Sequence, residues 1–424
     1  MAMNQKHTWS GSQDRRLTGV TMAVVMAGGR GERLCDLTTH RCKPATPFGG
    51  KFRIIDFVLS NCVNSGIRQV LLMTQYKGQS LIQHVQRGWS YLRGEFGEFI
   101  DVVPAQQQTG SNWYRGTADC VYQNLDLIRS HRPRHVLVLA ADHIYKMDYG
   151  PMIAFHAGKG ADISIGVVQV PLAKAHEFGV LSVTEENRVS HFDEKPVNPN
   201  PMPGNPDVVL ASMGIYIFNE RGLEQLLSED AHDESSAHDF GKNIIPSAIE
   251  KLSVFAYPFT DVKTRAQNYW RDVGTVDVYY DANIELVHVM PELNLYDEEW
   301  PIWTYQRHLP PAKFVLDDEG RRGIAINSMV SDGCIVSGAR IEQSLLFSNV
   351  RVDERSNVFR SVLLPNVNVG TDCTICNAIL DEGCEVPCGM KIGVDRAADS
   401  QRFHVTGNGV VLVSAGMLHT TVPT

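Results

Sequence analysis

Apolar residues in the first part of the chain alternate between two spacings. Residues 22–26 and 70–73 form short continuous apolar runs, which are typical of buried strands. Between these runs, apolar residues recur at helical spacing, at Ile55, Val58, Leu59, Cys62 and Val63. The pattern predicts a strand, a helix and a second strand.

The same order continues toward residue 170. Helical spacing returns at Ala118, Val121, Tyr122, Leu125 and Ile128. Apolar runs then follow at residues 136–139 and 163–170. Because strands that alternate with helices favour crossover connections, we expect an α/β fold with a mostly parallel, doubly wound sheet.

A different repeat begins beyond residue 314. Apolar residues recur there at steps of six positions, at Ile335, Ile341 and Phe347, at Val352 and Val358, at Leu363, Val369 and Ile375, and at Leu380, Val386 and Ile392. Six residues per side is the pattern by which a parallel β-helix stacks its coils into one core. The phase slips after Phe347, Val358 and Ile375, so the repeat is imperfect. A sheet of short antiparallel strands is the alternative that this periodicity leaves open.

Prolines mark two breaks in the pattern. Those between residues 196 and 206 exclude regular structure there and predict a long loop. Prolines and tryptophans are dense again from about residue 291, after which helical spacing does not return. We therefore expect a flexible tail at residues 1–18, an α/β domain at 19–290, a linker at 291–314 and a β-helix domain at 315–424.

Composition narrows the class of protein. The 424 residues are 43% hydrophobic and 21% charged, with a formal net charge of −9. A negative chain lacks the positive surface by which proteins bind nucleic acids or acidic membranes. The first long apolar stretch, residues 20–27, is also far shorter than the ~20 residues of a membrane span. We expect neither nucleic acid nor a membrane as a partner.

The nine cysteines are an odd number spread through a long chain, which favours reduced thiols and a cytoplasmic location. The spacing of Cys373, Cys376, Cys384 and Cys388 superficially resembles a four-thiolate zinc site. However, Cys373 and Cys376 are an odd number of positions apart on an extended coil and should face opposite ways. The favoured interpretation is that they are ordinary small residues of the β-helix.

A glycine turn follows the first predicted strand. Residues 27–34 read AGGRGERL, and Gly28 and Gly29 let backbone N–H groups approach a polyphosphate without side-chain obstruction. Arg33 adds positive charge, and Lys43, beside the stiffening Pro44, is a compact charge suited to phosphate. The turn matches neither the dinucleotide fingerprint nor a Walker motif. A simple strand-to-helix connection and an exposed surface lysine are the alternatives.

Two aspartates are candidate metal ligands. Asp142 follows an apolar run that ends at residue 141, at the carboxyl end of a parallel strand, where open α/β sheets bind ligands. Asp272 lies in a loop beside Gly274, and two such oxygen donors, with phosphates and waters, suit Mg²⁺. The two positions are far apart in sequence, and a lone aspartate is more often a cap or turn residue.

Two further polar groups precede loops or helices. The segment from Gly116 to Asp119 opens a helical pattern and offers N–H donors to a base or a sugar. Glu194 and Lys195 stand side by side before the proline loop, where one suits sugar hydroxyls and the other a phosphate. A plain helix start and a solvated charge pair are the alternatives.

An ordered series of motifs resembles one family nearly end to end. The motifs AGGRGERL, KPA, FGGKFRIIDFVLSN, GTAD, ADHIYKMDY, FGV, DEKP, ASMGIYIF, DFGKNIIP and WRDVGT are similar to those of bacterial glucose-1-phosphate adenylyltransferases, also called ADP-glucose pyrophosphorylases. The resemblance spans residues 22–417. It implies a Rossmann-like nucleotidyltransferase domain, a left-handed β-helix and a homotetramer. The implied reaction joins ATP and glucose 1-phosphate into ADP-glucose and pyrophosphate, the committed step of glycogen synthesis.

The resemblance also assigns site residues. Arg33, Lys43, Asp142 and Asp272 are the implied catalytic residues, with both aspartates binding Mg²⁺. The ATP-binding residues are Gly28, Gly29, Arg33, Lys43, Gln106, Gly116 and Asp119, and the glucose 1-phosphate-binding residues are Tyr114, Gly179, Glu194, Lys195 and Ser212. No histidine is nominated as a base, because a phosphate monoester with a second pKa near ~6 attacks as an anion already.

Regulation is where the chain departs from the family pattern. The family binds a sugar-phosphate activator and a nucleotide inhibitor between its domains, and His40, Arg41 and Arg53 match regulatory positions. His40 stands where relatives carry a lysine, and Pro47 and Ser130 replace a histidine and an arginine of the inhibitor site. The stretch near Arg402 also has fewer arginines. These departures leave the identity of the effectors open.

The glycine turn also departs from the family pattern. Glu32 replaces a threonine or serine, and we expect its carboxylate to point away from the phosphates.

Three other functions are alternatives to this one. A pyrophosphorylase for another nucleotide or sugar, such as UDP-glucose, shares the glycine turn and the chemistry. A non-catalytic regulatory subunit would bind the same ligands, although Lys43, Asp142, Asp272 and Lys195 are all present here. An acyltransferase built on the hexapeptide repeat does not explain the part of the chain before that repeat.

Overall fold

The structure, a computed structural model, describes residues 16–106, 113–202, 204–261, 264, 266–318 and 321–419. Of the predicted tail, residues 1–15 lie outside the described residues, and Thr18 is buried against the domain that follows. Among the described residues, no helix combines the length and the apolar character that crossing a bilayer requires. All nine cysteines are unpaired.

The N-terminal domain alternates strands and helices. Its strands are β1 (Thr21–Ala27), β2 (Gln69–Thr74), β3 (Phe99–Pro104), β4 (His135–Ala140), β5 (His143–Tyr145), β6 (Ile163–Pro171), β7 (Gly179–Val183), β8 (Val189–Glu194), β9 (Val208–Asn219), β10 (Val254–Pro258) and β11 (Trp270–Asp272). Its α-helices are α1 (Ile54–Asn64), α2 (Gln79–Gly88), α3 (Thr117–Tyr122), α4 (Leu125–Ser130), α5 (Gly150–Lys159), α6 (Glu220–Ala231), α7 (Ile245–Lys251) and α8 (Val276–Glu285).

Shorter elements connect them. A hairpin of Pro47–Phe48 and Phe52–Arg53 precedes α1. The 3₁₀ segments are Glu32–Thr38, Lys43–Ala45, Gly94–Phe96 and Leu172–Glu177, and a π-helical turn spans Phe240–Ile244. Asp239 begins that turn by accepting hydrogen bonds from the backbone N–H groups of Gly241 and Lys242. These side-chain contacts fix the start of the turn beside the site described below.

The central sheet has nine strands in the order β8-β7-β9-β4-β1-β2-β3, with β6 and β10 attached beside β9. The pairings β1–β2, β1–β4, β2–β3 and β6–β10 are parallel. Only β8 and β9 run against the common direction. The predicted α/β fold with a mostly parallel sheet is confirmed.

Strand β1 shows why this sheet forms. Ala23 and Val25 belong to one buried cluster, whereas Met22 and Val24 belong to another on the opposite face. Successive residues of a strand point to opposite faces, so a continuous apolar run requires cover on both sides. Helices supply that cover, which leaves the carboxyl ends of β1, β2 and β4 together at one edge. The glycine turn, Gln75 and Asp142 follow those three ends.

The C-terminal domain is a parallel β-helix with three sheets. One sheet stacks Lys313–Val315, Ile335–Ser337, Arg351–Val352, Asn368–Val369 and Glu385–Val386. The second stacks Ile324–Ile326, Arg340–Glu342, Asn357–Phe359, Thr374–Cys376 and Lys391–Ile392. The third stacks Met329–Val330, Leu345–Leu346, Val362–Leu363, Ala378–Leu380 and Val411–Val413, with His404–Val405 paired antiparallel at its end. The remaining elements are a hairpin of Asp317–Asp318 and Arg321–Arg322 and the helices α9 (Arg396–Ser400) and α10 (Ala415–His419). The predicted hexapeptide β-helix is confirmed, and the antiparallel alternative is excluded by these parallel pairings.

Two positions of the predicted apolar repeat were wrong. Val336, not Ile335, pairs with Val352 and is fully buried. Leu346, not Phe347, faces the interior of the β-helix, because Leu346 pairs with Leu363 and shares its cluster. With these corrections the step is five after Val336 and Ile341, and beyond Leu346 it falls from six to five only after Val358 and Ile375. The middle coils therefore have 17 residues, as the alignment of Ile341 with Val358 and of Val358 with Ile375 shows, whereas the first coil, from Val336 to Val352, has 16.

Phe347 is buried for a different reason. It belongs to a cluster with Leu345, Leu364 and Leu412 that also contains Leu34 of the N-terminal domain. The outer side of the third sheet is therefore the surface that packs against that domain. The third sheet is covered on its inner side by the β-helix core and on its outer side by the N-terminal domain, which explains its continuous apolar runs.

The connection between α8 and the first β-helix strand is anchored along α1. Trp300 and Trp303 donate indole N–H bonds to Asn61 and Asn64, each at 2.9 Å. Strand Lys313–Val315 starts inside the segment 291–314 that the sequence predicted as a linker. The segment thus runs as a strap over α1.

Candidate active site

Asp142 and Asp272 are brought together by a short antiparallel ladder. Strand β4 ends just before Asp142, and the chain turns at once into β5. β5 pairs with β11 so that Asp272 lies opposite His143. This pairing explains how two carboxylates far apart in sequence come to face one another.

Lys43 stands between the two carboxylates. Its Nζ donates hydrogen bonds to Oδ2 of Asp142 at 3.0 Å and to Oδ1 of Asp272 at 2.7 Å. Burial alone would lower the pKa of Lys43, but the two carboxylates outweigh burial and raise that pKa above its ordinary value. Burial would likewise raise the pKa of Asp142, yet Lys43 and His143 hold it well below its usual range. Lys43 and Asp142 therefore form an ion pair at neutral pH.

His143 is a member of this group that the sequence analysis did not identify. Its Nε2 lies 3.5 Å from Oδ1 of Asp142 and 4.0 Å from Oδ1 of Asp272. The ring packs edge-on against Trp270, and its Nδ1 has no hydrogen-bond partner among the described residues. Asp142, His143 and Asp272 form the cluster of possible metal-ligand atoms that the described residues contain. The signal available in the sequence was its position directly after Asp142.

The glycine turn depends most on a residue outside the predicted pair Gly28 and Gly29. Gly31 has φ 68°, and a Cβ atom there would lie 3.0 Å from Cβ of Lys43. Only glycine combines that backbone conformation with so close a neighbour. Gly31 thus allows the turn to lie directly against the lysine that binds both aspartates.

The charged residues of the turn point in two directions. Arg33 reaches the aspartates, with Nη2 at 3.8 Å from Oδ2 of Asp272. Glu32 and Arg30 are exposed and lie 3.6 Å apart, and both side chains border the same cavity. Arg30 therefore balances the charge that Glu32 brings to the turn.

A cavity of about 640 Å³ opens in front of this group. Seven of the predicted site residues line it, namely Gly28, Gly29, Arg33, Lys43, Tyr114, Gly116 and Asp142. Burial raises the pKa of Tyr114 to about 12, so its hydroxyl is protonated at neutral pH. The cavity is bordered by the carboxyl ends of β1, β2 and β4, which is where an open α/β sheet binds its ligands.

Two residues predicted to contact ATP, Gln106 and Asp119, are not among those that line the cavity. Asp119 is buried, and its carboxylate accepts hydrogen bonds from the backbone and side chain of Arg115 and from Gln123. The carboxylate holds the start of α3 and does not line the cavity. Gln106 is exposed just after β3, where the described chain is interrupted at residue 107.

Gly116 is required by a close approach of two backbones. A Cβ atom at this position would lie 2.2 Å from the carbonyl oxygen of His238. The contact places Thr117 beside Asp239, and Thr117 Oγ1 donates to Oδ2 of Asp239 at 3.0 Å. Thr117, which belongs to the predicted segment from Gly116 to Asp119, lines the cavity together with Gln75, Asp239 and Gly274, and these last three were not predicted as site residues. Asp239 is the first residue of the motif DFGKNIIP, which the resemblance contains without assigning it a role.

Apart from Tyr114, which lines the cavity, the residues predicted to bind glucose 1-phosphate form a second group near Asp239. Glu194 at the end of β8 lies opposite Gly179 at the start of β7. A Cβ atom at Gly179 would lie 2.5 Å from the ring of Phe192, so the position requires glycine. Burial, and then Asp239, raise the pKa of Glu194, which shows that the two carboxyl groups are close.

Lys195 and Ser212 complete that group. Lys195 is exposed and has φ 54°, and its N–H donates to the carbonyl of Phe178 at 3.0 Å. Phe178 packs against Trp270, which packs against His143. Ser212 is buried beside a bulge in β9, where its hydroxyl donates to Tyr216. The chain of contacts connects the second group to the aspartates.

Two of the three predicted regulatory residues, Arg41 and Arg53, lie between the two domains. Arg41 is buried and forms ion pairs with Asp381 at 3.0 Å and Glu382 at 3.7 Å. Arg53 donates to the carbonyl of Ser80 and lines a separate cavity of about 170 Å³ together with Glu382. His40 is exposed. Arg41 and Arg53 thus reach toward the same acidic corner of the β-helix.

Comparison with known proteins identifies the family. A family profile described as nucleotidyl transferase matches residues 22–288, and one described as GlmU-like, C-terminal hexapeptide matches residues 310–413. The glucose-1-phosphate adenylyltransferase of Methylococcus capsulatus is 58% identical over 403 residues, which cover 95% of each chain. The chain belongs to the glucose-1-phosphate adenylyltransferase family.

Other members of the glucose-1-phosphate adenylyltransferase family are equally similar. The one from Nitrosococcus oceani is 57% identical and covers 95% of this chain and 96% of its own. Glucose-1-phosphate adenylyltransferase 2 of Alkalilimnicola ehrlichii is 57% identical, with 95% of each chain covered. Nucleotidyltransferases of this family use a divalent metal ion. Asp142, Asp272 and His143 offer the kind of donor atoms that such an ion needs.

Proposed function

We propose that this chain transfers the adenylyl group of ATP to glucose 1-phosphate and releases pyrophosphate. The observation that carries the proposal is the convergence of Lys43, Asp142 and Asp272, of which Lys43 and Asp142 line the same cavity as the glycine turn. A phosphate-binding turn next to paired carboxylates is the arrangement that phosphoryl-group chemistry requires. The similarity to named adenylyltransferases over nearly the whole chain supports the same conclusion.

The two substrates divide the site between them. ATP lies along Gly28, Gly29 and Arg33, with its nucleoside toward Gln106 and Gly116. Asp119 then acts indirectly, by holding Arg115 and the start of α3. Glucose 1-phosphate lies toward Tyr114, Gly179, Glu194, Lys195 and Ser212, where Glu194 accepts sugar hydroxyls and Lys195 faces the phosphate. Asp239 stands between the two halves.

The reaction is an in-line displacement. A phosphate oxygen of glucose 1-phosphate attacks the α-phosphorus of ATP, a new P–O bond forms, and the bond to the β-phosphate oxygen breaks as pyrophosphate leaves. The attacking oxygen is already anionic, so no proton has to be removed. Arg33 and Lys43 neutralise developing charge, and the cavity walls hold the reactants in line.

Asp142 and Asp272 are proposed to hold Mg²⁺. The donor set fits: the low pKa of Asp142 keeps its oxygens ionised, and carboxylates are the ligands that magnesium prefers. When bound, Mg²⁺ supplies electrostatic stabilisation to the phosphates of the nucleotide. The ammonium group of Lys43 occupies the centre of the same carboxylate pair and keeps the two charges together when no cation is bound.

The biological setting follows from the proposed reaction. ADP-glucose is a glucosyl donor, and we place the enzyme at the committed step of glycogen synthesis, in the cytoplasm, as a homotetramer. Residues 19–290 are the proposed catalytic domain, 291–314 the linker and 315–424 the β-helix domain. The interdomain positions of Arg41 and Arg53 support regulation by a sugar-phosphate activator and a nucleotide inhibitor.

Substrate competition tests this proposal. Pyrophosphate release is measured with glucose 1-phosphate, Mg²⁺ and each of ATP, UTP and dTTP. The proposal expects the largest kcat/KM with ATP. A preference for UTP or dTTP would make the chain another sugar-nucleotide pyrophosphorylase, and ATP binding without release of pyrophosphate would make it a non-catalytic regulatory subunit.

A further inference from the structure

The last hairpin of the β-helix domain reaches the proposed nucleotide site. It is formed by His404–Val405 and Val411–Val413, and it pairs His404 with Leu412. Val410 and Leu412 share one buried cluster with Leu34 and Val273. Leu34 follows the glycine turn directly, and Val273 follows Asp272. The hairpin therefore packs behind both halves of the site.

One contact is made to the residue after Leu34. His404 Nε2 lies 3.6 Å from Sγ of Cys35. Cys35 has φ 51° and ψ −126°, inside an otherwise 3₁₀ segment. A non-glycine residue adopts such a conformation only when its surroundings impose it. The side chain of His404 is part of those surroundings. A residue of the β-helix domain therefore helps to hold the backbone of Cys35, just after the glycine turn, in this conformation.

A second contact is made to the other half of the site. Thr406 Oγ1 donates to Oδ1 of Asp277 at 2.6 Å. Asp277 lies in the first turn of α8, just beyond Asp272 and Gly274. The same hydroxyl accepts from Val410 N at 3.1 Å, which closes the hairpin. Thr406 therefore ties the hairpin to the start of α8, the helix that follows Asp272 in the chain.

The two elements held by the hairpin already touch inside the cavity. Arg33 lies 3.8 Å from Asp272, and a Cβ atom at Gly274 would lie 2.7 Å from Nη2 of Arg33. The spacing between the glycine turn and Asp272 sets where phosphates and their counter-charges meet. The hairpin contacts Cys35 on one side and Asp277 on the other, so it fixes that spacing before ATP binds.

We infer that His404 and Thr406 are positioning residues for the nucleotide site, which act from the β-helix domain through Cys35 and Asp277. The inference rests on the proposed placement of ATP. It assigns the β-helix domain a part in forming the ATP site, in addition to packing. Positioning of this kind changes ATP affinity, because the bound geometry is prepared in advance.

The experiment measures ATP dissociation constants by calorimetry in the absence of glucose 1-phosphate, and KM values for both substrates. Thr406→Ala is expected to weaken ATP binding about tenfold, which is the loss of one hydrogen bond to a charged group. The KM for glucose 1-phosphate is expected to change less than about twofold. Thr406→Ser keeps the hydroxyl and is expected to restore ATP binding. Asn408→Ala, at the exposed tip of the same hairpin, is the matched control.

The second part of the experiment tests whether His404 acts through Cys35. His404→Ala is expected to weaken ATP binding about fivefold in the wild-type background. In a Cys35→Gly background, His404→Ala is expected to have almost no further effect on ATP binding. Glycine adopts φ 51° without the support of the His404 side chain. Additive losses, unchanged ATP binding, or equal rises in both KM values would overturn the inference. Absence of pyrophosphate release by the wild-type protein would instead overturn the proposed reaction, while the binding data would still decide the role of the hairpin.

Discussion

Asp272 lies directly opposite His143 in the ladder between β11 and β5, and this register places its carboxylate 2.7 Å from the ammonium group of Lys43. The arrangement makes one charged group from three distant parts of the chain. Lys43 follows the glycine turn, Asp142 follows strand β4, and Asp272 precedes α8. The predictions below test what each part contributes.

Removal of Lys43 should expose the repulsion between the aspartates. Lys43→Ala leaves two carboxylates without their shared partner, which should lower the free energy of unfolding by about 3 kcal/mol in the absence of metal. Because the vacated position suits a cation, Mg²⁺ should raise the melting temperature of this variant more than that of the wild type. Calorimetry with and without Mg²⁺ provides the measurement. Lys174→Ala, an exposed lysine on a 3₁₀ segment, is the control. Equal metal effects in both proteins would contradict the assignment.

Lys195 is expected to contribute to binding of the sugar phosphate. Lys195→Ala and Lys195→Gly should each raise the KM for glucose 1-phosphate about 10- to 100-fold, because a charged hydrogen bond is lost. Glycine is the cleaner substitution, since the backbone at this position has φ 54°. Asn187→Gly replaces another residue of positive φ, at 65°, in a turn away from the cavity and serves as the control. An unchanged KM in the Lys195 variants would refute the contact.

Glu194 should make the protein less stable as the pH rises. Burial raises the pKa of Glu194, so the folded state binds its proton more tightly than the unfolded state does. Stability from this group is complete below the ordinary glutamate pKa and is lost as the pH rises through the higher folded value. Glu194→Gln should therefore melt at a higher temperature than the wild type at neutral pH, with the difference vanishing in acid.

The same substitution should reduce activity, because the carboxylate is proposed to accept sugar hydroxyls. Melting curves from acid to neutral pH test the stability part, and the KM for glucose 1-phosphate tests the other. Glu185→Gln, at an exposed turn, should show neither change. A Glu194→Gln protein with wild-type melting behaviour at every pH would rule out the proposed desolvation.

Gly116 should not tolerate a methyl group. In Gly116→Ala the new Cβ atom would meet the carbonyl of His238 at 2.2 Å, so one backbone must move, at a cost of about 3 kcal/mol. Since that contact also places Thr117 beside Asp239, ATP binding should weaken as well. Gly158→Ala is the matched control, because no atom lies within 4 Å of a Cβ atom there. Gly158 lies inside α5, and alanine should stabilise that helix by about 0.5–1 kcal/mol.

The fold was predictable from the sequence where the apolar periodicity reflects burial within a single regular element. The strands at residues 22–26 and 136–139 and the six-residue steps from Val352 onward reflect burial on a regular lattice. Phe347 was misassigned because burial has two different causes along the β-helix domain. Phe347 is buried by the N-terminal domain, not by the coil, and a count of apolar positions does not separate the two.

The candidate site was predictable only in part. Asp142 was placed by the rule that ligands bind at the carboxyl ends of parallel strands, but its meeting with Asp272 depends on the register of the β5–β11 ladder, which no local pattern encodes. His143 and Asp239 were missed because their importance lies in contacts with residues distant in the chain. Gly31 was within the recognised turn, yet its need for glycine comes from Lys43.

The central claim is that Asp142 and Asp272 act as one unit in adenylyl transfer. The most direct measurement is Mg²⁺-dependent pyrophosphate release from ATP and glucose 1-phosphate by Asp142→Asn, Asp272→Asn and the double variant, with folding checked by circular dichroism. The account predicts that each single change lowers kcat by about 10³-fold and that the double variant is no slower than the worse single one. Near-normal turnover by either single variant, or losses that multiply in the double variant, would contradict it.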